Sequence, residues 1–209
     1  MKSIAMHQMT RLLAATFLGT AILLSPRAAQ SAEEPPARKA QSQSPAMEAQ
    51  WRQLQQTIPP DIVIKLSEEF QKDYPNSRYR HANRYIQAGA RKALLAQQEA
   101  RLSSDALEDP TGDDAYRREL IQATRGSKDS AYRVALMYRQ GTHGLSKDPQ
   151  RTKQWLRVAA ELGNGRASWE VANIYNRDGE IDDAAKFEAK AVRDGFRIPP
   201  RLPNRPLGY

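Results

Sequence analysis

Residues 130–138 read SAYRVALMY, and residues 167–175 read ASWEVANIY. At an offset of 37 the two stretches match in type at their small, aromatic and apolar positions. Ser130 meets Ala167, Tyr132 meets Trp169, Val134-Ala135 meets Val171-Ala172, and Tyr138 meets Tyr175. Further on, Trp155, Ala159 and Gly163 correspond to Phe187, Ala191 and Gly195 at an offset of 32, so the second copy has lost five residues between its helices. Self-similarity at such a period is the signature of stacked supersecondary units. Ala135 and Ala172 allow a neighbouring helix to come close, while Tyr138 and Trp155 fill the wider gaps. Asp148 suits an N-cap, and Pro149 after it occupies the first helical position, where a missing N–H costs nothing. Gly163 and Gly195 suit the left-handed residue that ends a helix. One helical hairpin cannot bury both of its faces, so stacked hairpins must share a continuous core.

Upstream of the repeat the pattern is again helical. Met47, Trp51, Leu54 and Ile58 fall on one stripe, which Pro59-Pro60 interrupts. Asp61 is placed to cap a second helix reaching about Asp73, with Ile62, Leu66 and Phe70 inward. A third pattern covers residues 78–102, with Ala82, Ile86, Ala90, Ala93, Leu94 and Ala100 on its small and apolar side. Arg80, Arg84, Arg91 and Arg101 lie largely off that stripe. Residues 103–113 (SSDALEDPTGD) have loop composition, and a helix resumes over 113–124 with Tyr116, Leu120 and Ile121 as its apolar side. No segment alternates apolar and polar residues as a strand does. The expected fold is all-α: a short α-α solenoid of stacked helical hairpins.

The N-terminal residues read differently. Lys2 and Arg11 precede the uncharged run LLAATFLGTAILL (12–24), and Ala28, Ala29, Ser31 and Ala32 follow Ser25-Pro26-Arg27. As a helix that run spans about 20 Å, less than the ~30 Å hydrocarbon core. A basic start, a short apolar run and a small-residue exit predict a cleavable secretory signal over residues 1–32. Its removal would take Lys2, Arg11 and Arg27 off the formal charge of +8 and leave no stable transmembrane segment. The expected destination is periplasmic or secreted. Residues 33–45 (EEPPARKAQSQSP) lack apolar anchors and read as a flexible linker.

Residues 130–163 resemble a Sel-one-like repeat, a relative of the tetratricopeptide repeat. The matching residues are Ala135-x-x-Tyr138, Gly141, Gly144-Leu145, Asp148-x-x-Arg151-Thr152-x-x-Trp155 and Ala159-Ala160-Glu161-x-Gly163. The second copy departs from the pattern, with a short loop over 176–182 and Phe187 in place of Trp, as a degenerate terminal repeat does. Phe70-x-x-Asp73-Tyr74-Pro75-Asn76-Ser77 followed by Ala82 is similar to the junction between tetratricopeptide repeats. The expected organisation is therefore a helical, tetratricopeptide-like region over 46–125, two Sel-one-like repeats over 126–195, and a basic, Pro-rich tail over 196–209. The resemblance implies a non-catalytic scaffold or adaptor that binds protein in an envelope or secretion complex.

Composition narrows the chemistry. Cysteine is absent, which removes disulfides, thiolate metal sites and cysteine nucleophiles. His7, His81 and His143 are the histidines, and no metal spacing, nucleotide loop or Ser-His-Asp order accompanies them. His143 lies in the Gly141–Gly144 connection, read as a loop residue. Asp113-Asp114 and Asp182-Asp183 suit helix starts. No cofactor, metal site or catalytic residue is expected. By repeat position, Arg133, Glu170 and Asn173 are candidate exposed binding groups, with Tyr132 and Trp169 beside them; the two aromatics fit helix packing as well. The tail adds Arg197, Arg201 and Arg205 among four prolines and no acid. A proline-rich strand with little entropy to lose can dock in a groove or cover the last hairpin. With the Arg-rich segment 78–101 it also suits anionic polymer such as exopolysaccharide. The export signal disfavours nucleic acid.

Overall fold

The computed structural model describes residues 44–199. Among these, eight α-helices follow one another without a strand. They are α1 (Pro45–Gln56), α2 (Pro60–Asp73), α3 (Arg80–Ala100), α4 (Asp114–Ala123), α5 (Lys128–Gln140), α6 (Pro149–Glu161), α7 (Gly165–Asp178) and α8 (Ile181–Arg193). A single 3-10 turn, Ser104–Leu107, lies in the connection after α3. No helix of the described residues is long and apolar enough to cross a membrane. The expected signal peptide and nearly all of the expected linker lie outside the described residues, as do Arg201 and Arg205.

The linker boundary needs a small correction. The Ser44 side chain accepts the Met47 N–H at 3.1 Å, and Pro45 takes the first position, so α1 opens inside the stretch read as linker. Met47, Trp51 and Leu54 are buried as expected. They meet Phe70 in a small core in which Trp51 stacks on Tyr79, with centroids 4.4 Å apart.

In the next two helices most expected core positions are inward, including Leu66, Phe70, Ile86, Ala90, Ala93 and Ala100, but Ile62 and Ala82 are not. α2 begins at Pro60 with no side-chain cap, so Asp61 sits within the first turn instead of capping it. Val63, Ser67 and Phe70 face inward, and Ile62 is 42% exposed. The run Ile62-Val63-Ile64 offers two apolar stripes that both include Phe70, and packing against α3 selects one. In α3 the position expected of Ala82 is taken by Asn83, which is buried and donates its amide to the Ser67 carbonyl at 2.9 Å. Ala82 is exposed. The remainder of the inward face, Ala90, Ala93, Ala96 and Ala100, is nearly all alanine. So small a face lets α3 lie close against its neighbours.

From α4 onward each helix packs on the next, and α3 packs on α6 as well as on α2. The main core gathers Tyr116 and Leu120 of α4, Val134 and Tyr138 of α5, Trp155 and Leu156 of α6, and Val171 and Tyr175 of α7. Positions aligned by the internal repeat have like environments. Ser127 accepts the Ser130 N–H, and Asn164 accepts the Ala167 N–H, at equivalent helix starts. Ala135 and Ala172 are fully buried, and so are Ala159 and Ala191. Gly163 and Gly195, after α6 and α8, both have positive φ, at 94° and 86°. Trp155 is fully buried while its counterpart Phe187 is only partly so. This all-helical arrangement is compatible with a helical-repeat solenoid.

Candidate functional site

A groove of about 740 Å³ runs along α5, α6 and α7. Its shape follows from the α5–α6 connection. Gly141 ends α5 in the left-handed region, His143 and Gly144 also take positive φ, and Leu145 turns inward and is buried. The Asp148 N–H then donates to the Tyr138 carbonyl at 3.0 Å, and the Asp148 carboxylate caps α6 through the Arg151 N–H. This returns the chain past the end of α5 and leaves Tyr138, Leu156 and Ile174 beneath a charged rim.

Glu170 anchors one end of the groove. Its Oε1 accepts the Tyr132 hydroxyl at 2.6 Å, its Oε2 pairs with Arg139, and Arg166 Nε lies 3.5 Å from Oε1. The Arg166 guanidinium also sits over the Tyr132 ring, 5.5 Å from its centroid. Burial and then the hydrogen bond to Glu170 push the Tyr132 phenol up to about 12. At the other end, Lys153 pairs with Asp178 at 2.8 Å and lies over the Tyr175 ring. Between them the Asn173 amide, Lys147 and Arg177 line the groove without a hydrogen-bond or ion-pair partner among the described residues. They are the groups available to a ligand.

The residues selected from the sequence divide among several places. Glu170 and Asn173 share the groove. Arg133 does not join them; it lines a second pocket and pairs with Glu119 at 2.9 Å. Tyr132, read either as a neighbour of the exposed groups or as helix packing, is packed and only 9% exposed, and Glu170, read as exposed, is half-buried. The cause is their mutual hydrogen bond, which spends the carboxylate on helix packing. Trp169 stacks on Phe196, with centroids 6.3 Å apart. The Phe196 N–H in turn donates to the Ala191 carbonyl, so the first residue of the tail is packed against the last helices. Arg197 follows it and is exposed.

Arg139, Lys147, Lys153 and Arg177 were missed from the sequence. Arg177 had a signal, since Glu170, Asn173 and Arg177 fall at i, i+3 and i+7 on one face of α7. Lys147 had none, because its place in the groove depends on how the connection folds back.

His143 and Asp113 also come together, with Nδ1 and Oδ1 3.2 Å apart. Asp113 caps α4 by accepting the N–H groups of Ala115 and Tyr116. The Tyr116 N–H, foremost, and then Ala115 and His143 hold its carboxyl below the ordinary value. Among the described residues, no three His, Cys, Asp or Glu side chains are gathered as metal ligands. No family model, no curated protein and no solved structure matches this chain.

Proposed function

We propose that the chain is an exported, non-catalytic scaffold whose helices α5–α8 act as two Sel-one-like repeats holding a segment of an envelope or secretion protein. The reading is supported chiefly by the groove itself. An apolar floor of Tyr138, Leu156 and Ile174 lies below an unengaged amide and two unpaired cations, Lys147 and Arg177. Such a combination suits a peptide segment that buries apolar side chains while its polar groups are met at the rim. The like environments of the aligned positions support the repeat, and the N-terminal sequence supports export.

The test is an affinity capture from native envelope with the tagged mature chain, run beside the double variant Lys147→Glu, Arg177→Glu. The expected result is one or more proteins retained by the parent and lost by the variant at moderate salt. Equal retention by both chains, with the variant still folded, would remove the groove from the function.

One observation favours a second reading, binding of an anionic envelope polymer. Arg84 and Lys92 on the exposed side of α3 have no ion-pair partner among the described residues, and Tyr85 beside them is exposed. Binding through these groups would weaken steeply with salt, because exposed charges are screened within ~10 Å at 0.1 M. Docking in the groove, where the apolar floor carries part of the contact beside Lys147 and Arg177, would weaken less.

A further inference from the structure

A second pocket, of about 460 Å³, is lined by Gln55 at the end of α1, by Arg118, Glu119 and Gln122 of α4, by Arg125 after it, and by Arg133 of α5. It shares no lining residue with the groove. Its charges are unequal. Three arginines line it against one carboxylate, Glu119, whose Oε1 pairs with Arg133 Nε at 2.9 Å and whose Oε2 is buried without a hydrogen-bond partner among the described residues. Arg118 is exposed and has no ion-pair partner among the described residues.

Arg125 is the most telling of the three. Its Nη2 donates to the carbonyls of Leu54 and Gln55, at 3.0 and 2.6 Å, which holds the side chain across the end of α1. Its Nε is buried and has no hydrogen-bond partner among the described residues. Among the described residues no carboxylate pairs with it, and burial draws its pKa down. A partly buried guanidinium held by carbonyl dipoles alone keeps a net positive field in the cavity beside it. Arg118 adds to that field from the rim, whereas Arg133 is engaged by Glu119 and by the Ser130 hydroxyl. The amides of Gln55 and Gln122 supply further neutral donors at the same mouth.

We propose that this pocket is a binding site for an oxyanion group, carboxylate or phosphate, carried by a ligand of this protein. Guanidinium forks are matched in geometry to both groups, offering two parallel N–H bonds to paired oxygens. The cavity is far larger than the ~30 Å³ share of one water, so it accommodates the oxyanion together with part of the molecule that bears it. Arg125 is held in place before any ligand arrives, and Arg118 is free to close over it. The oxyanion restores the missing negative charge at a site where desolvation makes it count for more than at the open surface.

The test is calorimetric titration of the full chain at low ionic strength with pyrophosphate and, separately, with citrate. Arg118→Gln and Gln122→Glu serve as variants on exposed positions, where the fold is not at risk. Saturable binding of at least one probe, weakened about tenfold or more by each variant, is the expected result. Preference for pyrophosphate would identify a phosphate site, and preference for citrate a carboxylate site. In the same samples the Arg125 Nε–Hε resonance should shift on saturation. No saturable binding of either probe, or binding that both variants leave unchanged, would overturn the proposal.

Discussion

The Tyr132 hydroxyl and the Glu170 carboxylate, on α5 and α7, are joined by a 2.6 Å hydrogen bond. Their bond ties the first helix of one aligned copy to the first helix of the next. Because the acceptor is charged and half-buried, the bond stabilises more than a neutral surface contact does. Tyr132→Phe should therefore cost about 1.5–3 kcal/mol, the range for a hydrogen bond to a charged group. A double-mutant cycle with Glu170→Gln, read by urea unfolding, should give a coupling above about 0.5 kcal/mol. Additive single effects would mean that the two groups act separately.

The same pair sets an alkaline prediction. The folded phenol titrates at about 12, above the ordinary 10, so its stabilising contribution is present below pH 10 and lost as pH rises through 12. Absorbance titration at 295 nm should show a late-ionising tyrosine that disappears in Tyr132→Phe. Superimposable curves would contradict the assignment.

A backbone contact governs the next prediction. A Cβ on Gly89 would lie 2.1 Å from the Arg125 carbonyl oxygen, where only a backbone shift could relieve the clash. Helix propensity alone would make Gly89→Ala stabilising by roughly 0.5–1 kcal/mol. Overpacking of this kind costs about 1–3 kcal/mol or more, so the net change should be destabilising. Thermal unfolding decides the sign, and a raised Tm would refute the close contact between α3 and the α4–α5 turn.

Trp155 tests the core. Trp155→Ala should destabilise by ~3–5 kcal/mol, as buried aromatic truncations do. Trp155→Phe should cost far less. A smaller aromatic ring still fills most of the site, and the substitution removes an indole N–H that is buried without a hydrogen-bond partner among the described residues. Denaturant unfolding of the two variants side by side would reveal the difference, and equal losses would argue against this packing.

Acid stability should depend on Asp113. Its carboxyl is held below the ordinary 3.8, so its contribution is complete above that value and is lost as pH falls through the lower folded value. Asp113→Asn keeps an oxygen that can cap α4 but does not titrate. The Tm of the parent should fall more steeply than that of the variant between pH 5 and pH 2. Parallel profiles would exclude Asp113 as a source of acid sensitivity.

Much of the helical region was legible because its signals are local. Proline, Asp and Ser starts, glycine stops and a regular apolar period act within one or two turns of the residue concerned. Tyr138, Trp155, Ala135 and Ala172 could thus be assigned to the core from spacing alone, and all four are buried. The candidate site was less legible. Glu170 and Asn173 share one helical face, and spacing leaves Tyr132 either beside that face or in helix packing, without showing that it engages Glu170. Spacing within one helix cannot reveal a bond between two.

By its own local chemistry the sequence determined that residues 46–195 would be mostly helical, where most of those helices would begin and end, and which small and bulky residues would interlock. The tertiary structure decided which of two apolar stripes α2 would bury, and which charges would be consumed by packing. It alone brought Arg118, Arg125 and Arg133 to one cavity with Gln55. Helix starts and stops depend on interactions a few residues long. The fate of a charge depends on which distant carbonyls and carboxylates the folded chain places around it, as Arg125 does across some 70 residues to the end of α1.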